Sequence, residues 1–202
     1  MKEHWENIYQ NKSPEEVSWT QKNPELSLQL IQSLHLSKKS SIIDVGSGES
    51  ILVDSLINQG FQNIHLLDIS QNALNKVKKR LSKFVQNITF HHSNSIDFKP
   101  SNQFDLWHDR ATFHFLTEVD SIEKYVQLVN STVSQYLIIA TFSKNGPKKC
   151  SGLEIKQYDE KELKDLFSEN FSLEKSIIDH HKTPFDTEQE FIYVLFKRKI
   201  NL

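Results

Sequence analysis

The stretch Asp44-Val45-Gly46-Ser47-Gly48-Glu49 constrains this chain more than any other. It follows the apolar pair Ile42-Ile43 and precedes an amphipathic run, Ile51-Leu52-Val53 to Leu56-Ile57. That order reads as strand, tight turn, helix. Only five glycines occur in 202 residues, and two of them sit in this triplet. Glycine opens backbone conformations closed to other residues and lets a ligand approach the main chain. The turn is therefore expected to hold a cofactor.

Periodicity on either side alternates strands with helices. A helix is expected from Pro24 to Leu36, with Asn23 as N-cap and proline at the first helical position. Strand one is Ser41–Val45, and the helix after the turn stops at Gly60. Strand two, Ile64–Leu67, ends at Asp68, and Ser70 caps a helix with Leu74, Val77, Leu81 and Phe84 on one face. Strands three and four are Ile88–His92 and Phe104–His108. Thr117 caps the next helix, and strand five, Tyr136–Phe142, is apolar enough for a sheet centre. Asp159 caps a short helix. Two strand-like runs then follow without a crossover helix, Phe171–Asp179 and Glu190–Phe196, so they should pair antiparallel. The fold class is a doubly wound, Rossmann-like α/β sheet, mostly parallel, with a C-terminal antiparallel hairpin. Ligands in such sheets lie beyond the strands' carboxyl ends, where Asp44, Asp68, Asn94 and Asp109 fall.

With 37% hydrophobic and 25% charged residues and a net charge of -2, nothing points to disorder, a membrane span or a nucleic-acid surface. A single, soluble, cytoplasmic domain over residues 1–202 is expected, monomeric, with no nucleic-acid or membrane partner. Cys150 is the only cysteine, which excludes an internal disulfide.

Three ligands compete for the turn. A dinucleotide wants glycine where Ile51 stands, and its pyrophosphate wants positive potential, whereas the turn carries Asp44 and Glu49. A nucleoside triphosphate wants a lysine followed by serine or threonine, and neither occurs. S-adenosylmethionine has no phosphate. Its ammonium and sulfonium suit acidic flanks, and its ribose diol suits a carboxylate at the end of strand two. Asp68 lies 20 positions after Gly48, and Ile69 follows it to lie against the adenine.

With these residues in place, the chain resembles the class I, seven-stranded S-adenosylmethionine-dependent methyltransferases. Asp44-Val45-Gly46-Ser47-Gly48 is similar to the family's first motif, with Ser50 in place of its third glycine, and Leu67-Asp68 is similar to its ribose-binding acid. The family commonly sets an Asp after strand three to meet the adenine amino group. Asn94-Ser95 occupies that place, and Asp97 is the other candidate. The runs His4-Trp5-Glu6-Asn7-Ile8-Tyr9, Val17-Ser18-Trp19 and Trp107-His108-Asp109-Arg110-Ala111 resemble a branch of small methyltransferases, as do Phe113-His114-Phe115-Leu116 and Gly146-Pro147 through Leu153. That branch is similar to protein-lysine methyltransferases. The resemblance implies an N-terminal helical lid over residues 1–36, with Trp5, Tyr9 and Trp19 covering the cofactor and residues 37–202 forming the cofactor-binding core. It also implies that the segment after strand four borders the active site.

His108-Asp109-Arg110 is the most polar cluster at a strand end. Asp109 is expected to orient a nucleophile and His108 or His114 to accept its proton, with His108 also near the cofactor. For His114 a second reading stands, since Phe113 and Phe115 flank it and can simply bury its ring. No spaced Cys/His set occurs, so no metal is expected. The expected activity is in-line methyl transfer from S-adenosylmethionine to a protein lysine. The alternatives are a small thiol, carboxylate or metalloid acceptor, or cofactor binding without transfer.

Overall fold

The computed structural model describes residues 1–200. Strands β1 (Ile42–Val45), β2 (Ile64–Asp68), β3 (Ile88–His92), β4 (Phe104–Arg110) and β5 (Val133–Phe142) pair in parallel. A two-stranded hairpin follows, β6 (Lys149–Cys150) with β7 (Leu153–Glu154), inside the long segment after β5. Strands β8 (Phe171–Lys182) and β9 (Glu188–Arg198) then pair antiparallel, and β9 joins β5 antiparallel. The seven-stranded order is β3-β2-β1-β4-β5-β9-β8, the doubly wound sheet with a C-terminal antiparallel pair that the sequence implied.

Helices α1 (Lys2–Asn11), α2 (Glu25–Ser33), α3 (Leu52–Asn58) and α4 (Gln71–Arg80) send their apolar residues into one face of the sheet. Helices α5 (Val119–Thr132) and α6 (Glu160–Phe167) cover the other. No helix among the described residues is long and apolar enough to cross a membrane.

Two caps form as read. The Ser70 hydroxyl accepts the Ala73 N–H, and Asp159 closes a capping box with Glu162. Two do not. Pro24, not Asn23, is the N-cap of α2, and Glu118, not Thr117, precedes α5, neither with a side-chain cap bond. Packing of the amphipathic face sets these helix starts more strongly than the local capping preference does. Phe84 leaves the apolar stripe of α4 because that helix ends at Arg80 and continues as a 3-10 turn, which leaves the ring exposed.

Strand β4 runs two residues further than expected, to Arg110. Side chains alternate across a strand. Leu106 and His108 therefore join Arg110 on the α1–α4 face, and Trp107 joins Asp109 on the α5–α6 face. The pairing register sets Asp44 of β1 beside His108 of β4. Those two facts decide what each polar residue at the strand ends can do.

Candidate active site

The glycine turn leaves β1 with Gly46 at φ +63° and Gly48 at φ +51°, a region that β-carbons disfavour. Space forbids a side chain as well: a β-carbon at Gly46 would collide with Thr112, and one at Gly48 with the Tyr9 hydroxyl. The Gly46 and Ser47 N–H groups donate to the Leu67 carbonyl, which ties the turn to the end of β2. Asp68 completes the tie. Its Oδ2 accepts the Gly48 N–H and its Oδ1 the Ser70 N–H, both at 2.7 Å. Burial pushes this carboxyl up to about 6, and the two N–H bonds oppose that rise. A carboxylate oxygen has two lone pairs, so Asp68 retains acceptor capacity for a diol.

Asp68 opens onto a cleft of roughly 720 Å³. Ile69, Asn94, Ser95, Trp5, Tyr9 and Trp19 also line it, so the residues expected to meet the adenosine share one wall system. Of the two candidates after β3, Asn94 lines the cleft and Asp97 is exposed. A second cleft of roughly 920 Å³ contains Asp44, Ser47, Ser27 and His108. Tyr9, Trp19, Gly46 and Arg110 line both and mark where they meet.

In the second cleft His108 bridges two elements. Its Nδ1 lies 2.7 Å from Asp44 Oδ1 and its Nε2 lies 2.9 Å from Ser27 Oγ. With both nitrogens engaged and 2% exposure, His108 positions Asp44 and has no nitrogen left to take an acceptor's proton. Asp44 Oδ2 and Ser47 Oγ, both buried, have no partner in the described structure. Local sequence did not expose Ser27. Its one signal was a hydroxyl on the apolar stripe of α2 beside Leu30 and Ile31, where a polar group needs a partner.

The turn's electrostatics differ from the local reading. Its own residues include no base, but α4 brings two against it. Lys76 Nζ pairs with Glu49 at 2.6 Å, and Arg80 binds the Glu49 and Ser50 carbonyls together with Asp54. Glu49 is therefore neutralised by a residue 27 positions away, and of the two flanking acids only Asp44 faces the second cleft without a cationic lysine or arginine partner among the described residues.

Asp109 does not reach either cleft. It is fully buried on the α5–α6 face, where Oδ1 accepts the Thr112 and Phe113 N–H groups and Oδ2 the Tyr125 hydroxyl, itself bonded to Trp107 Nε1. The expected nucleophile-orienting aspartate instead shapes the turn that places Thr112 over Gly46. The reason is strand alternation: Asp109 lies between His108 and Arg110, and adjacent residues of a strand point to opposite faces.

His114 is also withdrawn. Its ring stacks on Phe142 at 4.6 Å and meets Phe115 edge-on, neither nitrogen has a partner, and burial, helped by the Arg110 charge, pushes it down to about 3. The ring is packed and neutral, the second of its two sequence readings.

The N-terminal segment is pinned by contacts that sequence did not show. Glu6 accepts the Gln71 and Asn72 N–H groups and the Ser70 hydroxyl, which fixes α1 across the positive N-terminus of α4. Burial would raise this carboxyl, but those bonds hold it below its usual range. Arg110 Nη1 donates to the Trp19 carbonyl, His181 Nε2 meets the Ser18 carbonyl, and His4 meets Ser151 of the β6–β7 hairpin. Trp5 packs edge-on against Trp19 and Phe115.

A family model described as a methyltransferase domain matches residues 36–199. No curated protein sequence matches the chain. Among solved structures it resembles a protein from work on the conversion of a disulfide bond into a thioacetal group during echinomycin biosynthesis. The TM-score is 0.80 at 17% identity, over 100% of this chain and 94% of that one. It also resembles the N-methyltransferase NodS of Bradyrhizobium japonicum WM9 in complex with S-adenosyl-L-homocysteine (TM-score 0.72, 12% identity, 98% of each chain). A third is the 1,6-didemethyltoxoflavin-N1-methyltransferase of Burkholderia thailandensis (TM-score 0.71, 13% identity, 96% of this chain and 82% of that one). At these identities the likeness carries the fold.

Proposed function

The chain belongs to the methyltransferase-domain family, and on that footing we propose that it moves the methyl group of S-adenosylmethionine onto a small-molecule acceptor. Asp68 carries the cofactor reading. It is a buried carboxylate, locked to the glycine turn by the Gly48 N–H, with lone pairs facing a cleft also lined by Ile69 and Asn94. Two structural neighbours are described with S-adenosylhomocysteine bound, which supports the same ligand here. Asp68 would hold the ribose hydroxyls, Ile69 and Asn94 the adenine, and Asp44 with Ser47 the amino-acid end, where both have an unpartnered oxygen.

Bound S-adenosylmethionine supplies a methyl already activated by the sulfonium. The acceptor's lone pair forms the new bond to the methyl carbon while the carbon–sulfur bond breaks and leaves its electron pair on sulfur. An acceptor that carries a proton loses it to bulk solvent outside the closed site, before binding or after product release. With His108, Asp109 and His114 all engaged or sealed off, the protein's part is placement and exclusion of water by Trp5, Tyr9 and Trp19.

A small acceptor fits better than the protein lysine suggested by resemblance. The turn lies beneath α1, the Trp19 segment and the β6–β7 hairpin, each pinned as described. A small molecule can enter beside these elements, while a folded protein surface would have to displace them.

S-adenosylhomocysteine at about 100 times a micromolar Kd should stabilise the protein by about 2.7 kcal/mol in thermal unfolding. No shift at millimolar ligand overturns the cofactor reading. Incubation with methyl-labelled S-adenosylmethionine and cell lysate should place label in the small-molecule fraction. Label confined to a discrete protein band overturns the acceptor class.

A further inference from the structure

We infer that the acceptor carries a carboxylate or comparable oxyanion, and that Arg110 is the residue that holds it. The inference rests on the methyl-transfer reading above.

Arg110 ends β4 on the cleft face and lines both clefts where they meet. Its hydrogen bonds go to neutral oxygens: Nε donates to the Tyr193 hydroxyl at 2.8 Å and Nη1 to the Trp19 carbonyl at 3.0 Å. The Phe191 ring lies 4.8 Å from its guanidinium carbon. No carboxylate comes within ion-pair distance among the described residues, and Nη2 is buried without a partner. The other cations at the turn differ, since Lys76 has Glu49 and Arg80 has Asp54.

A guanidinium stays charged at every working pH, and a half-buried charge with only dipoles around it is short of a counter-ion. Its field is felt nearby: the Arg110 charge acts to lower the His114 ring, the His181 ring and the Cys150 thiol, although burial carries Cys150 the other way, up to about 12. A planar fork of donors is also the group best matched to a carboxylate.

Position selects the acceptor as the source of that anion. Asp68 marks the ribose side of the site and Asp44 with Ser47 the amino-acid side, so Arg110 stands near the middle, where the cofactor is itself cationic. Two cations at one junction call for an anion between them. An oxyanion on the acceptor is attracted by both before transfer and by Arg110 alone afterwards, when the sulfonium has become a neutral thioether. The same charge opposes a lysine ammonium.

The test measures binding to the protein saturated with S-adenosylhomocysteine, using three probes of one shape: phenylacetate, phenylacetamide and phenethylamine. Phenylacetate should bind about tenfold more tightly than the other two, the factor that corresponds to about 1.4 kcal/mol. Arg110→Gln should erase that preference. Tyr193→Phe, which removes one neutral partner and keeps the charge, should leave it intact. Absence of phenylacetate binding, equal binding of the three probes, or an unchanged preference in Arg110→Gln overturns the proposal. A loss of S-adenosylhomocysteine affinity in Arg110→Gln, with 5′-methylthioadenosine affinity retained, also overturns it, because the cofactor's own carboxylate would then be the partner. Failure of the wild-type protein to bind S-adenosylhomocysteine at all is a failure of the methyltransferase reading instead.

Discussion

Asp68 closes β2 and Asp109 lies one residue before the end of β4. The two carboxyls look alike by every local measure. They are 5% and 0% exposed, each accepts two backbone N–H groups, and burial pushes each up to about 6. They differ in what surrounds their remaining lone pairs. Asp68 borders a cleft, whereas Asp109 gives its other oxygen to Tyr125, which is bonded in turn to Trp107. A raised carboxyl pKa at a strand end therefore does not mark a functional acid by itself. What separates the two is which face of the sheet the side chain takes.

Substitution at both positions should separate them sharply. The largest effect is expected from Asp109→Ala, which strands the Tyr125 hydroxyl and the Thr112 and Phe113 N–H groups in the core. Unfolding stability should fall by roughly 3–5 kcal/mol in urea melts. Asp109→Asn, which keeps an acceptor for both N–H groups, should lose less. A loss under 1 kcal/mol for the alanine variant would break the comparison. Asp68→Ala should behave in the opposite way. S-adenosylhomocysteine affinity should fall about 100-fold by calorimetry, in line with loss of hydrogen bonds to a charged group. Stability without ligand should fall less than in Asp109→Ala, because the acceptor that the Gly48 and Ser70 N–H groups lose borders the cleft, where water can replace it. Full retention of affinity would refute the ribose assignment.

The pH dependences should run in opposite directions. Both folded pKa values lie above the usual carboxylate value near 4, so the stability these groups contribute is present below about pH 4 and is lost as pH rises through about 6. Ligand binding needs Asp68 ionised, so affinity should fall by up to about tenfold per pH unit below 6. Difference curves should lose part of the stability change in each of Asp109→Asn and Asp68→Asn, and the binding change in Asp68→Asn alone. A binding curve flat from pH 5 to 7 would count against Asp68.

The smallest effect concerns α1, the segment expected to cover the cofactor. Glu6→Ala removes the acceptor at the start of α4 and should reduce stability by about 1–2 kcal/mol. S-adenosylhomocysteine affinity should fall several-fold as α1 loosens over Gly48. An unchanged affinity would mean that Tyr9 and Trp5 hold their places without it.

Much of this architecture was legible because it is local. The glycine turn, Asp68 after β2, the Ser70 and Asp159 caps, and the terminal hairpin each rest on neighbours within a few residues or on one strand's periodicity. Asp109 and His108 were grouped as one polar cluster, since adjacent polar residues in a strand look like one group until alternation divides them, while His114, outside the strand, takes the packed one of its two readings. Strict period-two reading of β4 would have put His108 and Arg110 together and Asp109 apart.

Sequence alone determined that residues 44–49 form a strand-to-helix turn with a carboxylate at the end of the next strand, because both depend on backbone preferences and strand order. Tertiary structure decided which polar groups remain available. Ser27 and His108 stand 81 positions apart, Glu6 and Ser70 64, and Arg110 and Trp19 91. A hydrogen bond between such residues satisfies or orphans a side chain according to sheet register and helix docking. Those arise from burial of whole apolar faces and leave no mark in the neighbouring residues.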